Sequence, residues 1–441
     1  MMFQIHLLPE IQALDSGKSV IRIPDQQQVP LTPRIQRLID TPQFRRLARI
    51  SQLGMVALVY PGATHTRFEH SLGVYRMALY FLRQLSRVEA FQNQIDQQLA
   101  QRFVVSALLH DVAHWPYCHP IEDLGLQGLR RHEDRLLDYL GGTEVEQLLK
   151  EDWGLELRAV ADLLCGQTVT PIEKVLYSML SGPIDVDKMD YLYRDSLHAG
   201  VPYGQNFDRQ RLLDSLCLNQ QGDCIGITDK GRTAAELMVF ARYVMFSEVY
   251  WHPAVRSATA MLQRVVFELS TDWNFEDLVQ ADDHQAHRLL HEQIGKYQPE
   301  LAVLTDGLFG SVRRLYKRCI EFDSLDGAAI YQQIAHRPYR ELAGLGDRVA
   351  EALSAATGMK IQPFEVLIDA PPMNLEVQFD LAVKRTRQGS FTTLGEMSPV
   401  VRTLATNQFD DLVKKVRVFV EPRIQEAVSQ VNVEGLIGEL L

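Results

Sequence analysis

Apolar positions along the 441-residue chain recur mostly at three- and four-residue steps, the pattern of amphipathic helices. Asp40-Thr41-Pro42 opens one such stretch with a capping side chain and then proline in the first turn; Phe44, Leu47, Ile50 and Leu53 follow at roughly helical spacing, and Gly54 closes it. Leu72 to Leu85 is a second amphipathic stretch. Gln101 to His114 is a third, nearly all apolar and so expected to be buried, with Pro116 to stop it. Ile184 to His198 predicts a helix in which Asp187, Tyr191, Arg194, Asp195 and His198 share one side. Ala234 to Trp251 and Ala254 to Leu269 predict long helices broken at His252-Pro253. The period changes in two places. Leu216 to Thr228 reads as a β-hairpin around Gln-Gln-Gly-Asp, and from about Gly358 the stretches FEVLID, VQFDLAVK and VRVFVEP read as strands separated by APPMN and RQGSF turns. The expected fold is mainly α: an N-terminal segment (1–37), a helical core (38–330) and a small C-terminal α/β region (331–441).

Composition narrows the class. At 46% hydrophobic and 23% charged residues the chain reads as soluble and globular, and its length suits two or three domains. It has no run of 18 apolar residues, and its start, MMFQIHLLPEIQALD, lacks a basic n-region, so neither a membrane span nor a signal peptide is expected. Five cysteines without a CxxC pair suit reduced thiols in a cytoplasm. A net charge of −11 argues against general nucleic-acid binding but leaves room for a small anion gripped by local Arg and Lys.

The chemistry concentrates in ALLHDVAHWPYCH (107–119), which carries three histidines and an aspartate after an apolar run. HDVAH has the spacing of the zinc-protease HExxH, but the shorter Asp111 would displace a general base and Pro116 follows at once; that reading is set aside. HTRFEHSLG places His65 and His70 around Arg67, and IDVDKMDYLYRD supplies Asp187. Together His70, His110, Asp111 and Asp187 offer two imidazoles and two carboxylates, a set suited to Mn, Fe, Zn or Mg. The plainer readings are hydrogen-bonded core histidines and a solvated, salt-bridged helix face, and spacing alone does not decide between them. His284, His287 and His291 also share a helix face, but among charged neighbours that mark exposed surface rather than a second metal site.

The stretches IDTPQFRRLARISQLG (39–54), PGATHTRFEHSLGV (61–74), ALLHDVAHWPYCH (107–119), RHED (131–134), IDVDKMDYLYRD (184–195) and RYVMFSEVYWHP (242–253) agree in order, spacing and flanks with one family. The chain resembles the HD-domain phosphohydrolases, and within them the deoxynucleoside-triphosphate (dNTP) triphosphohydrolases, most of all their bacterial branch. The resemblance spans about Leu38 to Arg256 and continues weakly into the C-terminal strands. It implies an HD-domain helical core and metal-dependent hydrolysis of a dNTP to deoxynucleoside and tripolyphosphate. It further implies one divalent ion per subunit on His70, His110, Asp111 and Asp187, with additional Mg accompanying the triphosphate. By the same resemblance His114, His119 and His132 are active-site histidines, with Glu122 where the family often has an acid. Gln52, Leu53, Arg67, Lys188, Tyr191, Asp195, Arg242 and Tyr250 match substrate-pocket positions. Family members are commonly tetramers, so a homo-oligomer is expected.

Departures from the family pattern bear on regulation and on one substrate contact. Phe246 stands where the human member has histidine. Ala48 replaces an arginine and Arg45 a glutamine at positions that read a guanine activator in nucleotide-activated members, so a GTP or dGTP activator is not carried over, although Asp40 remains. Two rival functions stay open: an HD phosphohydrolase acting on another nucleotide or on single-stranded nucleic acid, and a nucleotide-binding regulator with low turnover.

Overall fold

The computed structural model describes residues 3–25, 27–372, 380–407 and 412–441. Its apolar side chains gather into two cores. The first surrounds the helix Arg67–Leu85, which is packed by the helices Gln97–Leu109 and Val186–Ala199; Tyr75 and Phe81 of the central helix and Phe103 of its neighbour are completely buried. None of that helix's 19 residues is exposed, so it forms the centre of this core. The second core lies between the helices Pro253–Leu269 and Tyr339–Thr357 and a three-stranded sheet.

The helix from Thr41 is shorter than its periodicity suggests. Thr41 caps it by accepting from Phe44 N, but the α-helix covers only Pro42–Arg46, followed by a 3₁₀ turn at Leu47–Arg49. The chain then extends because it is drawn into pairing with residues 65–67: Ser51 bridges Thr66, Gln52 N donates to His65 O, and Arg67 N donates to Ile50 O. Gly54 follows at φ +50, with its absent side chain facing the ring of Tyr117 at 3.0 Å.

The apolar helix expected over Gln101 to His114 runs from Gln97 to Leu109 and ends well before Pro116, with His110 as its C-cap. Two tight turns follow, Val112 N to Leu109 O and His114 N to Asp111 O. The cause is packing. Val112 and Ala113 enter the first core, whereas Trp115, Cys118 and Ile121 enter the second, so the segment has to change direction between them. His110 and His114 consequently do not share a regular helix turn, which removes the zinc-protease geometry. The helix Arg232–Met245 passes into a π-turn at Phe246–Tyr250 before His252 caps Pro253–Leu269, so the expected break at His252-Pro253 is present.

The described strands form three sheets. Strands β1 (Val20–Ile23) and β2 (Gln27–Pro30) make an N-terminal hairpin that the sequence reading does not contain. Strands β3 (Leu216–Leu218) and β4 (Ile225–Thr228) are the anticipated hairpin. Strand β5 (Lys317–Phe322) is a further unanticipated one. Of the C-terminal stretches, FEVLID contains β6 (Val366–Asp369) and VRVFVEP contains β9 (Val416–Val420), which pairs antiparallel with both β5 and β6. The end of VQFDLAVK enters β7 (Ala382–Arg385), which turns into β8 (Ser390–Thr393) through RQGSF; residues 377–379, and Met373 and Asn374 of the APPMN turn, lie outside the described residues. β7 lies parallel to β4, with Ile227 opposite Val383. Among the described residues no helix is long and apolar enough to cross a membrane, and all five cysteines are free.

Candidate active site

The metal-ligand candidates come from helix ends that meet at the seam between the cores. Thr66 caps the helix on which His70 sits in the first turn; His110 closes Gln97–Leu109, with Asp111 next; Asp185 caps Val186–Ala199 by accepting from Lys188 N, with Asp187 in the first turn. His70 Nε2 and His110 Nε2 stand 3.3 Å apart, and Asp187 Oδ1 is 3.0 Å and 3.8 Å from them. The other nitrogen of each ring faces an acceptor: His70 Nδ1 is 2.9 Å from Asp190 Oδ2, and His110 Nδ1 is 3.0 Å from Ala107 O. Those acceptors keep the ring protons on Nδ1 and turn both Nε2 lone pairs toward one point, where they repel unless a positive charge lies between them. Burial pulls the His70 pKa down, but Asp187 and Asp190 raise it further, to about 10, so a cation bound at Nε2 would take the place of a proton that Asp187 otherwise holds there. Such a donor set fits a divalent cation: His70, His110 and Asp187 each offer an atom within 4.8 Å of the others.

Asp111 is the fourth candidate and is partly committed elsewhere. Its Oδ1 is 3.3 Å from His110 Nε2 and 3.1 Å from His114 Nδ1, while Oδ2 accepts from Arg67 Nη1 at 2.7 Å. Against its burial, the positive charge around it, that of Arg67 included, holds its carboxyl well below the usual range.

Beside this group lies a cluster of three imidazoles. The ring centroids of His114 and His132 are 3.6 Å apart, and His119 lies 5.0 Å from His114 and 5.6 Å from His132. Burial and the Arg67 guanidinium push the His114 pKa well down, so it is neutral, and neither of its buried nitrogens makes a hydrogen bond. Glu122 ties the other two together. Its Oε1 accepts from His132 N at 2.7 Å and lies 2.9 Å from His132 Nδ1; its Oε2 is 3.6 Å from His119 Nδ1. Burial opposes ionisation of Glu122, but the two histidines hold its pKa far below normal. For His119, crowding by neighbouring groups and the Arg67 charge lower the pKa, and Glu122 outweighs them, so the net shift is upward. His119 lies beyond Pro116 in a short helix of its own, Cys118–Glu122, and its side chain is 63% exposed. His114, His119 and His132 also come within 4.8 Å of one another, as do Cys118, Glu122 and His132.

The pocket candidates are distributed around these clusters. Arg67 is buried against Asp111. Asp195 is held at both oxygens, Oδ1 by His65 Nε2 at 2.9 Å and Oδ2 by the Tyr250 hydroxyl, which donates at 2.6 Å. Tyr191 is half-buried between Asp187 and Asp195 on one helix face. Lys188 turns back to its own cap, Nζ donating to Asp185 Oδ2 at 2.6 Å. Arg242 is buried with its guanidinium 5.5 Å from the Phe246 ring centroid. Gln52 has a buried Oε1 without a hydrogen bond, and Leu53 packs on the first core.

Sequence reasoning did not find the frame behind these residues. Arg194 donates to both oxygens of Asp190 and to Glu69 Oε1; Glu69 also meets His198 Nε2 at 2.9 Å, and His198 stacks on His65 at 4.3 Å. One chain of contacts thus links His70 to Asp195. Its signal in the sequence was Gly73: a Cβ there would strike the Asp190 carboxylate and the Arg194 guanidinium.

Comparison with known proteins bears on this arrangement. The family model of the HD associated region matches residues 207–437. An uncharacterized protein of Methanocaldococcus jannaschii is 28% identical, the alignment covering 96% of this chain and 83% of that one. The deoxynucleoside triphosphate triphosphohydrolase SAMHD1 of Gallus gallus is 30% identical over 53% of this chain and 42% of its own length, so the match spans under half of that enzyme. A crystal structure of a hypothetical protein from Aquifex aeolicus superposes with a TM-score of 0.70 at 25% identity, covering 93% of this chain and 99% of that one. A phosphohydrolase from Bacteroides thetaiotaomicron superposes with a TM-score of 0.67 at 21% identity, covering 92% and 100%, which is a likeness of fold. With more than half of its length matched by the model, the chain belongs to the HD-domain family that carries the HD-associated region.

Proposed function

We propose that the protein hydrolyses deoxynucleoside triphosphates to deoxynucleoside and tripolyphosphate. One observation carries the reading. The Val186–Ala199 helix brings Asp187 to the His70–His110 pair and, two turns on, Asp195 to Tyr250, with Tyr191 between them on the same face. That is about 12 Å of helix, enough to lay a nucleotide from phosphate to sugar along one wall.

A divalent ion held by His70, His110, Asp187 and Asp111 would supply charge that polarises a phosphate oxygen. Arg67, Lys188 and Arg242 offset the triphosphate charge. Water adds to the α-phosphorus, the bond from that phosphorus to the 5′-oxygen breaks, the oxygen leaves with a proton, and the proton of the attacking water passes to solvent as the new phosphate oxygen ionises. His119 is the donor, because Glu122 raises its pKa and so enlarges the protonated fraction of the ring. His114, buried and neutral, forms the wall beside it. Tyr191 lies under the sugar and leaves no room for a ribose 2′-hydroxyl.

The test is incubation with each dNTP and NTP under Mn, Mg, Fe and Zn in ¹⁸O-water. Deoxynucleoside and ¹⁸O-labelled tripolyphosphate are expected. A deoxynucleoside mono- or diphosphate as the first product, or label in the nucleoside, overturns the reading.

A further inference from the structure

Arg46 is buried, and every part of its guanidinium is in use. Nη2 donates to His114 O at 2.6 Å and Val112 O at 3.2 Å; Nη1 donates to Ala281 O at 2.9 Å and Val279 O at 3.4 Å; Nε donates to the Tyr139 hydroxyl oxygen at 2.7 Å. Val112 and His114 belong to the turn that starts at Asp111. Val279 and Ala281 are buried in the second core, where the chain leads into the helix Asp283–Tyr297. One planar fork therefore ties the metal-ligand turn to the other core, which an ammonium, without the fixed geometry of five donors, cannot reproduce.

The next two residues of the same stretch grip the opposite wall. Asp282 Oδ2 accepts from Arg49 Nε at 2.7 Å, and Asp283 Oδ2 accepts from Ser51 N at 2.9 Å, one residue ahead of Gln52 and Leu53. Residues 50–53 are neither helix nor strand, so this bond and the bridge to Thr66 fix their path.

We infer that Val279–Asp283 is a brace contributed by the HD-associated region, and that it positions the two walls of the site separately: Arg46 carries it to the Asp111–His114 turn, and Asp283 carries it to the Gln52–Leu53 loop. Arg46 and Asp283 are positioning residues, since neither has to touch substrate. The second half of the inference rests on the nucleotide reading proposed above; the first half concerns metal retention and does not.

The experiment compares Arg46→Lys, Asp283→Ala and Asp283→Asn in the full-length chain, with bound metal measured by mass spectrometry and nucleotide affinity by titration with α,β-imido-dATP at saturating metal. Arg46→Lys is expected to weaken metal affinity about 10–100-fold, the range for loss of a group that orients a ligand, with nucleotide affinity at saturating metal within about twofold of wild type. Asp283→Ala is expected to keep its metal and lose roughly tenfold in nucleotide affinity; Asp283→Asn, whose amide oxygen still accepts from Ser51 N, is expected to restore it. If Arg46→Lys does not fold by circular dichroism, Tyr139→Phe, which frees Nε alone, takes its place with a smaller loss of metal and the same unchanged nucleotide affinity. Parallel loss of metal and nucleotide in both variants, full metal affinity in the Arg46 or Tyr139 variant, or failure of asparagine to rescue overturns the inference. Wild-type protein that holds metal but cleaves no dNTP overturns the proposed function and leaves the metal arm readable.

Discussion

Asp190 Oδ2 stands 2.9 Å from His70 Nδ1, the ring nitrogen that Asp187 does not reach. That buried carboxylate sets which His70 nitrogen carries the proton and therefore which lone pair faces the candidate ion. Asp190→Asn is expected to lower metal affinity about 10–100-fold with the fold retained, measured by competition with a chelating dye. Unchanged affinity would detach Asp190 from the site.

Gly73 leaves the space through which Arg194 reaches Asp190. Gly73→Ala should force both side chains apart and destabilise the protein by about 2–4 kcal/mol, as overpacking with loss of a buried ion pair does. Urea unfolding measures it. A variant as stable as wild type would mean that the helix pair can shift to accommodate a methyl group.

His119→Ala should leave nucleotide affinity near wild type and slow the chemical step about 10²–10⁴-fold. The pH profile carries the sign. In the proposed role His119 acts protonated, and Glu122 raises its pKa, so the rate falls as pH rises through the raised value. Glu122→Gln should bring that fall to lower pH. A profile indifferent to Glu122 assigns the proton to another group.

The Asp283 carboxyl is pushed up to about 6, mainly by burial and further by Asp282, against the Ser51 N–H and Arg67. A carboxyl raised in the folded state favours folding when protonated, so its contribution is present below its ordinary value of 3.8 and lost as pH rises through about 6. Asp283→Asn removes the charge and keeps an acceptor. It should be more stable than wild type by about 1–3 kcal/mol at pH 7.5, with the difference vanishing near pH 4. Thermal melts at the two pH values test this, and equal shifts at both would contradict it.

GTP should not accelerate dATP hydrolysis. The guanidinium of Arg45 lies 4.7 Å from the Phe68 ring centroid, and Arg49 is paired with Asp282. Ala48 offers no donor, so the three positions present no guanidinium fork for a purine edge. A large GTP-dependent rise that Arg45→Ala abolishes would show that Arg45 leaves Phe68 to build such a site.

Element identity was legible where one periodicity ran undisturbed. Val186–Ala199 and Pro253–Leu269 follow their apolar spacing closely. The two helices read as too long, after Thr41 and before His114, fail where the chain stops serving one core: Ile50–Gln52 pairs with residues 65–67, and Ala113–Trp115 crosses between cores. Local pattern cannot register such long-range demands. Strand β5, KRCIEF, carries more charge than a typical buried strand and is recognisable only through its partner β9. The candidate ligands could be read because each sits in a distinct motif. Asp190, Glu69 and Arg46 could not, because a carboxylate or guanidinium behind a ligand looks in sequence like any other helix charge.

The parallel pairing of β4 with β7 joins residues 226–228 to 382–384. On the ribosome, more than 150 residues must follow β4 before its neighbour exists. Leu381, Val383 and Leu394, which belong to the first core, arrive only after most of the second has been made. The nascent chain therefore cannot finish the N-terminal half, the candidate-site histidines included, as an independent folding unit, since the sheet edge at β4 and the apolar surface beneath it stay open until the C-terminal strands emerge. Chains stopped short of β8 should emerge as aggregation-prone intermediates rather than as smaller working enzymes.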